Sequence, residues 1–414
     1  MKHSMLATVG LVGAAALILA GCSASGGDET GPVTITYSNF ISNNGNEENL
    51  QTIVDAFEEA NPDIKVEVTT LPYADYFTAL QTDLAAGTQA DVFDFEFANY
   101  PQFQANGVLA EIPVENSAAY KQELLEAYST DGTQFALPTS FSDVVLYYNK
   151  DLFDAAGLDY PSSDWTWADE KSAAEAITDQ AAGVWGDHQP VSFYEFYKAL
   201  AQNGGEFLSA DGKSAAFNSP EGIEAAKWLV EKSGTVMPTI EQGQGTPDFD
   251  TNLFKDGKLA MMHTGIWVFG AVADVPFGWD IAVEPGNTQQ ASAVFSNAVG
   301  VSATSEHKEA AAKWAEFLSS SDTMVDVRLN SGWELPPISD DAKLATYLTK
   351  GAPANRQAVF DSLDGIALLP VVAEGQTEMQ DIVGEELVEA QAGRKSVEDA
   401  LKSAEERVNA AIGG

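Results

Sequence analysis

A single cysteine, Cys22, stands in 414 residues. A lone thiol makes no intramolecular disulfide, and it supports neither a thiolate zinc site nor an iron–sulfur cluster. Histidine is almost as scarce: His3, His188, His263 and His307 are scattered, with no i,i+4 pair. A His-based metal site or a Ser-His-Asp triad therefore has few candidates. Basic residues are short too, 21 Lys and Arg against 62 Asp and Glu, for a net charge of −41. Such a surface repels phosphate backbones and anionic headgroups, which argues against nucleic acid as a partner. The plain consequence of the charge is a solvated acidic surface. Beyond the first twenty residues no apolar run approaches membrane-spanning length.

What the chain does have at its start reads as a leader. Lys2 and His3 form a short polar segment, and Met5 to Ala20 is apolar. That run is short for a transmembrane helix and fits the core of a signal peptide. It ends in Leu19-Ala20-Gly21-Cys22, which resembles a bacterial lipobox. The resemblance implies cleavage after Gly21 and diacylglycerol attached through Cys22. An ordinary secretory peptide with an incidental cysteine is the alternative. Two or more acyl chains anchor stably, at about 0.8 kcal/mol per buried methylene. Residues 1–21 then form the signal peptide and 22–32 a lipidated tether, with SASGGDETG as a flexible spacer. The expected location is the extracellular face of a bacterial cell membrane, with the membrane reached through the lipid anchor.

The rest alternates between strand and helix patterns. VTITYS at 33–38 has period two. Asn46 reads as an N-cap, with Glu47 and Glu48 in the first turn. Leu50, Ile53, Val54 and Phe57 then share one helix face, Asn61-Pro62 stops the helix, and Ile64, Val66 and Val68 alternate again. This is the strand–helix–strand unit of a parallel sheet. A helix is predicted over Tyr73 to Ala86, stopped by Gly87, and a strand over Asp91 to Phe95. Phe135 to Tyr148 reads as mostly extended despite Pro138. Further helices are predicted at 168–182, 193–203, 221–232 and 306–319, and strands at 258–263, 279–283 and 297–302. At the end, Met379, Ile382, Val383 and Leu387 share a face, and Ser396 caps a last helix with Asp399 at its third position.

Six stretches resemble one family, in its order: DLAAGTQADVF (83–93), QANGVLAEI (104–112), DVVLYYNKDLFDAAGL (143–158), FKDGKLAMMHTGIW (254–267), EAAAKWAEFL (309–318) and EAQAGRKSVEDAL (389–401). These are similar to the extracellular solute-binding proteins of carbohydrate ABC importers, of which maltose-binding protein is the familiar member. The resemblance implies an α/β, two-lobed periplasmic-binding-protein fold. Each lobe would be a mixed sheet flanked by helices, with a multi-crossover hinge. Lobe one is expected at 33–140 with 286–331, and lobe two at 141–285 with 332–414. Pro138, Glu284-Pro285-Gly286 and Leu335-Pro336-Pro337 would lie near the crossings. The implied function is capture of a di- or oligosaccharide between the lobes and delivery to ABC permease subunits. Neither catalysis nor a cofactor is expected, and the chain should act as a monomer.

A sugar offers apolar C–H faces that stack on aromatics, and hydroxyls that need donors and acceptors. The search is therefore for aromatics interleaved with carboxylates and amides on loops that follow strands. Asn43 and Asn44 follow the first strand, with turn chemistry as the alternative. Phe95, Glu96 and Phe97 lie just beyond a strand's C-terminal end, where open α/β sheets bind ligands; one of the phenylalanines there is expected in the core. Trp267 matches the family tryptophan of the G-x-W stretch, with a core tryptophan as the alternative. Tyr194 precedes AQNGG at the spacing where the family carries an aromatic contact. Asp143 borders the first crossing, Trp333 and Glu334 the third, and Asn297 precedes a lobe-one strand. Met379 fits an apolar helix face. Trp165 and Trp167 read as structural, beside a Thr166 N-cap.

Two other classes stay open at this level. A secreted glycosidase or lyase would need a carboxylate pair such as Asp94/Glu96, or Glu195, at a set separation. A receptor for a cationic ligand such as a polyamine would use Glu96, Asp143 and Glu334 between aromatics. No EF-type calcium loop is present.

Overall fold

The computed structural model describes residues 32–41, 46–243, 246, 248–367, 369–372 and 374–413. Cys22, the signal peptide 1–21, the tether up to residue 31, Asn43 and Asn44 lie outside the described residues.

Strands β1 (Val33–Asn39) and β2 (Ile64–Thr70) pair in parallel through the helix Asn46–Ala60. That helix buries Leu50, Ile53, Val54 and Phe57. The helix Tyr73–Ala86 ends on Gly87, which takes φ 70°, a left-handed value that glycine adopts without penalty. β3 (Val92–Glu96) follows, parallel to β1. A short hairpin, β4 (Ser129–Thr130) and β5 (Thr133–Gln134), leads into β6 (Ala136–Asn149), fourteen residues long and buried throughout. β7 (Met261–Gly265), β8 (Trp279–Ala282), β9 (Ser292–Val301) and β10 (Ile366–Ala367) complete the described strands.

The main path runs β2-β1-β3-β9-β6-β7, with β8 on β6 and β10 on β9. Two strands therefore serve both halves of the molecule. β6 pairs with β9 along Ala136–Asp143, then with β7 and β8 along Val144–Asn149. β9 pairs with β10 at Ser292 and Ala293, and with β3 at Asn297–Val301. Register shifts between Pro138 and Ser140, where proline's missing N–H breaks the ladder. A third segment joins them: Phe141 and Leu335 exchange backbone hydrogen bonds of 2.9 and 3.0 Å. Leu335-Pro336-Pro337 thus runs beside β6. Gly286 of Glu284-Pro285-Gly286 accepts from the Trp167 backbone at 2.9 Å, and β9 is the strand that pairs with both β3 and β6.

Helix ends follow local chemistry. Thr166 and Asp169 form a reciprocal capping box on the helix Trp167–Ile177, and Ser396 accepts from the Asp399 backbone N–H on Val397–Ile412. The first of these is shorter than predicted, because Asp179 and Val184 pair backbone to backbone and turn the chain. β9 starts five residues before its predicted start, because its early residues are held by β6 and β10. No helix among the described residues is long and apolar enough to cross a membrane.

Candidate functional site

The two halves of the sheet meet at β3, β9 and β6, and the side chains gathered at this crossing make the candidate cleft. Glu96 ends β3 and stands opposite Asn297 of β9. Its backbone N–H donates to Asn99 Oδ1 at 3.2 Å, and its half-buried carboxylate accepts from the Tyr73 hydroxyl at 2.8 Å. Burial pushes the Glu96 carboxyl up to about 7, with Glu334 adding to the rise and the Tyr73 bond opposing it. Tyr194 faces the same group from the other half: the Tyr73 and Tyr194 hydroxyls, both raised chiefly by burial and Glu96, also perturb each other. Behind Tyr194 runs an aromatic row. Its ring lies 5.6 Å from Phe295, which lies 5.7 Å from Trp267, both edge-on. Tyr194, Phe295 and Trp267 are all half-buried, so each keeps accessible ring surface.

Trp267 is held by close approach. β7 ends at Gly265, whose carbonyl accepts from the Tyr147 hydroxyl at 2.7 Å. The indole folds back over Gly265, and a methyl group there would overlap three of its carbons. Gly265→Ala is therefore expected to displace the indole and to cost about 1–3 kcal/mol as overpacking. Tryptophan emission together with the urea midpoint checks this; wild-type values in both would contradict the packing.

A cavity of about 560 Å³ adjoins the cleft, lined by Gln81 and Gln102 on one side and by Thr377, Asp381 and Arg407 on the other. Asp381 is close enough to raise Tyr194 electrostatically. Arg407 is already paired with Glu385 at 2.8 Å and Glu386 at 2.9 Å.

Glu96, Tyr194 and Trp267 are thus brought together, and Phe97 stays half-buried beside Tyr128, 5.7 Å between rings. Asn297 and Glu334 meet each other instead. Glu334 accepts from Asn297 at 3.0 Å and Ser140 at 2.5 Å, and pairs with Arg328 at 3.4 Å. Three expected contacts do not reach the cleft. Phe95 is fully buried against Phe103 at 5.3 Å, because period two puts it on the same face as Phe93. Trp333 is buried with the Arg328 guanidinium 4.1 Å above its ring. Asp143 is 1% exposed; burial holds its carboxyl well above the usual range against the opposing hydrogen bonds of its own backbone and Ser362, and Glu284 adds to the rise. Tyr73 and Phe295 were missed from the sequence. Tyr73 opens a helix after a strand, a position the sequence showed, whereas Phe295 lies within β9, whose early residues no local pattern marked.

Two of the carboxylates that suggested catalysis, Asp94 and Glu195, are committed elsewhere. Asp94 accepts from the Tyr37 hydroxyl at 2.9 Å and is buried, with its carboxyl pushed up to about 7 chiefly by that burial. Glu195 pairs with Lys198 at 2.7 Å. Glu170, Asp187 and His263 bring ligand atoms within 4.8 Å of one another, but Lys232 Nζ already sits on the first two at 2.5 and 2.7 Å. An ammonium fills the cation position.

This two-halved α/β architecture, joined by the crossing strands β6 and β9, defines the class of two-lobed binding proteins. Residues 43–325 match the family model of bacterial extracellular solute-binding proteins, and the chain belongs to that family. Its solved relatives include an ABC substrate-binding protein from Listeria monocytogenes in complex with cycloalternan. The two are 41% identical, with 92% of this chain and 98% of that one covered and a TM-score of 0.87. An ABC transporter solute-binding protein from Thermotoga lettingae bound with α-D-tagatose is 25% identical, covering 92% and 100%, with a TM-score of 0.83. A cyclic α-maltosyl-1,6-maltose binding protein from Arthrobacter globiformis is 26% identical, covering 92% and 100%, with a TM-score of 0.73. The fold is the two-lobed periplasmic-binding-protein fold.

Proposed function

We propose that the chain is the carbohydrate receptor of an ABC importer, not an enzyme, and that it takes a di- or oligosaccharide in the cleft of Glu96, Tyr73, Tyr194, Phe295 and Trp267. The observation that carries this is the aromatic row facing a half-buried carboxylate across the crossing strands. Rings supply stacking surface for sugar C–H faces, and Glu96 with the two tyrosine hydroxyls supplies hydroxyl partners. The adjoining cavity leaves room for more than one sugar ring. The carbohydrates bound by the relatives above support the same ligand class. A cationic ligand is less well served. Of its three expected carboxylates, Asp143 is buried and Glu334 is neutralised by Arg328. In this reading residues 1–21 are removed, Cys22 carries the lipid, and the receptor works as a monomer at the outer membrane face beside its permease. The lobes divide at Ser140–Asp143 of β6 and Val294–Asn297 of β9.

A thermal-shift screen against mono-, di- and oligosaccharides, cycloalternan and maltotetraose among them, tests the class. A ligand at 100 times its Kd adds about 2.7 kcal/mol to stability. A selective shift is expected with one carbohydrate group, unchanged by salt. A shift only with spermidine, fading with salt, would replace carbohydrate with a cation. The bound sugar should also be pH-linked. Hydroxyls donating to Glu96 favour its charged form, so affinity should weaken as pH falls through about 7, by at most about tenfold per unit. Titration calorimetry from pH 8 to 6 reads this directly, and a flat profile would remove Glu96 from the contacts.

A further inference from the structure

The half of the molecule built on β7 and β8 holds a ring of ionic groups that the cleft does not use. Lys198 Nζ lies 2.6 Å from Glu284 and 2.7 Å from Glu195. Glu284 stands 3.0 Å from Nδ1 of His263. On the other side of that imidazole, Nε2 lies 3.2 Å from both Glu170 and Asp187. Lys232 bridges these two carboxylates and donates to Gln189 at 2.6 Å. Gln189 donates to Glu195 at 2.8 Å and closes the ring on Lys198. Every member is buried.

A neutral imidazole carries one N–H and one lone pair. Here each nitrogen faces carboxylate oxygens, so loss of either proton would set a lone pair against buried negative charge. Four carboxylates meet two ammonium groups, and the imidazolium is the third cation. Two further titratable groups face this cluster. Asp143, on β6, has its carboxyl held well above the usual range, chiefly by burial, and His188, whose backbone exchanges hydrogen bonds with β7, is held below its usual value, chiefly by burial.

The ring is tied directly to the cleft aromatics. Glu195 follows Tyr194 in the first turn of the helix Phe193–Gln202. His263 lies on β7, two residues before the Gly265 that the Trp267 indole covers. We propose that His263, as an imidazolium, is a positioning residue for the cleft: its charge closes the ring that fixes Glu195 and β7, and through them the orientations of Tyr194 and Trp267. This rests on the reading of those two rings as ligand contacts. Burial alone would lower the His263 pKa, and Glu284, Asp187 and Glu170 outweigh it, leaving it well above the ordinary value. Its stabilisation is then complete below the unfolded value of about 6.5 and lost as pH rises through the folded one.

The test needs no ligand. Imidazole ¹⁵N spectra of the purified protein should show both His263 nitrogens protonated at pH 8, where an ordinary histidine is neutral. With 5-fluorotryptophan incorporated and Trp267 assigned through Trp267→Phe, the Trp267 ¹⁹F signal should move at alkaline pH with the His263 midpoint. Trp314, packed on Tyr37 and Phe57 in the other half, should not follow it. His263→Gln should shift Trp267 in the same way, and the wild-type titration stands alone if that variant does not fold. A neutral His263 at pH 8, or a Trp267 signal indifferent to its titration, overturns the proposal and leaves the carbohydrate reading intact. A failed sugar screen with both signals as expected overturns only that reading.

Discussion

Replacing Lys198 with methionine is expected to destabilise the protein by about 3–5 kcal/mol, more than any surface change. Lys198 is fully buried, and its ammonium is the partner of both Glu195 and Glu284. Methionine fills the space but leaves Glu195 without its ammonium and Glu284 with His263 alone, and the lasting cost is that undercompensated charge, not the lost attraction. Burial lowers the Lys198 pKa and the two glutamates raise it further than burial lowers it, so the group stays charged. Glu284 is held down to about 2 by His263 and Lys198 against the opposing effect of its burial. Its contribution is therefore present above pH 4.5 and lost as pH falls towards 2. The urea midpoint at neutral pH measures the effect. Adding Glu284→Gln to Lys198→Met should restore part of the loss, since it removes one of the undercompensated charges. An unchanged midpoint in the single variant would mean that the ring does not carry the stability its geometry implies.

Trp267→Ala is expected to weaken carbohydrate binding by about 2–4 kcal/mol, roughly 30- to 1,000-fold. Trp267 is the largest ring in the cleft, it keeps exposed surface, and Phe295 and Gly265 fix its plane. Truncation removes a stacking face that packing already holds in place, so little ordering entropy is regained to offset the lost contact. Trp267→Phe should fall between the two. Calorimetry with whichever sugar the screen selects reads the loss, and circular dichroism checks that the fold persists. Wild-type affinity in Trp267→Ala would move the stacking surface to Tyr194 and Phe295.

How much of this was legible in the sequence differs by kind of feature. The helix Tyr73–Ala86 was readable to the residue, because an apolar period and a left-handed glycine both act locally. The same holds for the Thr166 and Ser396 caps; β1 and β2 were read from their first residues but end one and two residues beyond the alternation. β9 was read short, since its first residues gain their pairing from β6 and β10, which lie far away in sequence. Glu96 stood out as an acid between aromatics at a strand's C-terminal end, and Tyr194 and Trp267 through the family resemblance. Phe95 and Trp333 had the same composition around them, yet strand alternation and the Arg328 guanidinium turned them inward.

The sequence by itself determined the alternation of strands and helices, the acidic charge balance and the family. Each of these is written in neighbours a few residues apart or in composition. Only the tertiary structure decided which aromatics face the cleft and which charges are buried. Lys198, His263 and Lys232 look like ordinary members of a charged sequence. They become a closed ring because segments spanning residues 170 to 284 converge, and the energy of a charge depends on its distance from its partner and from water, which no local pattern records.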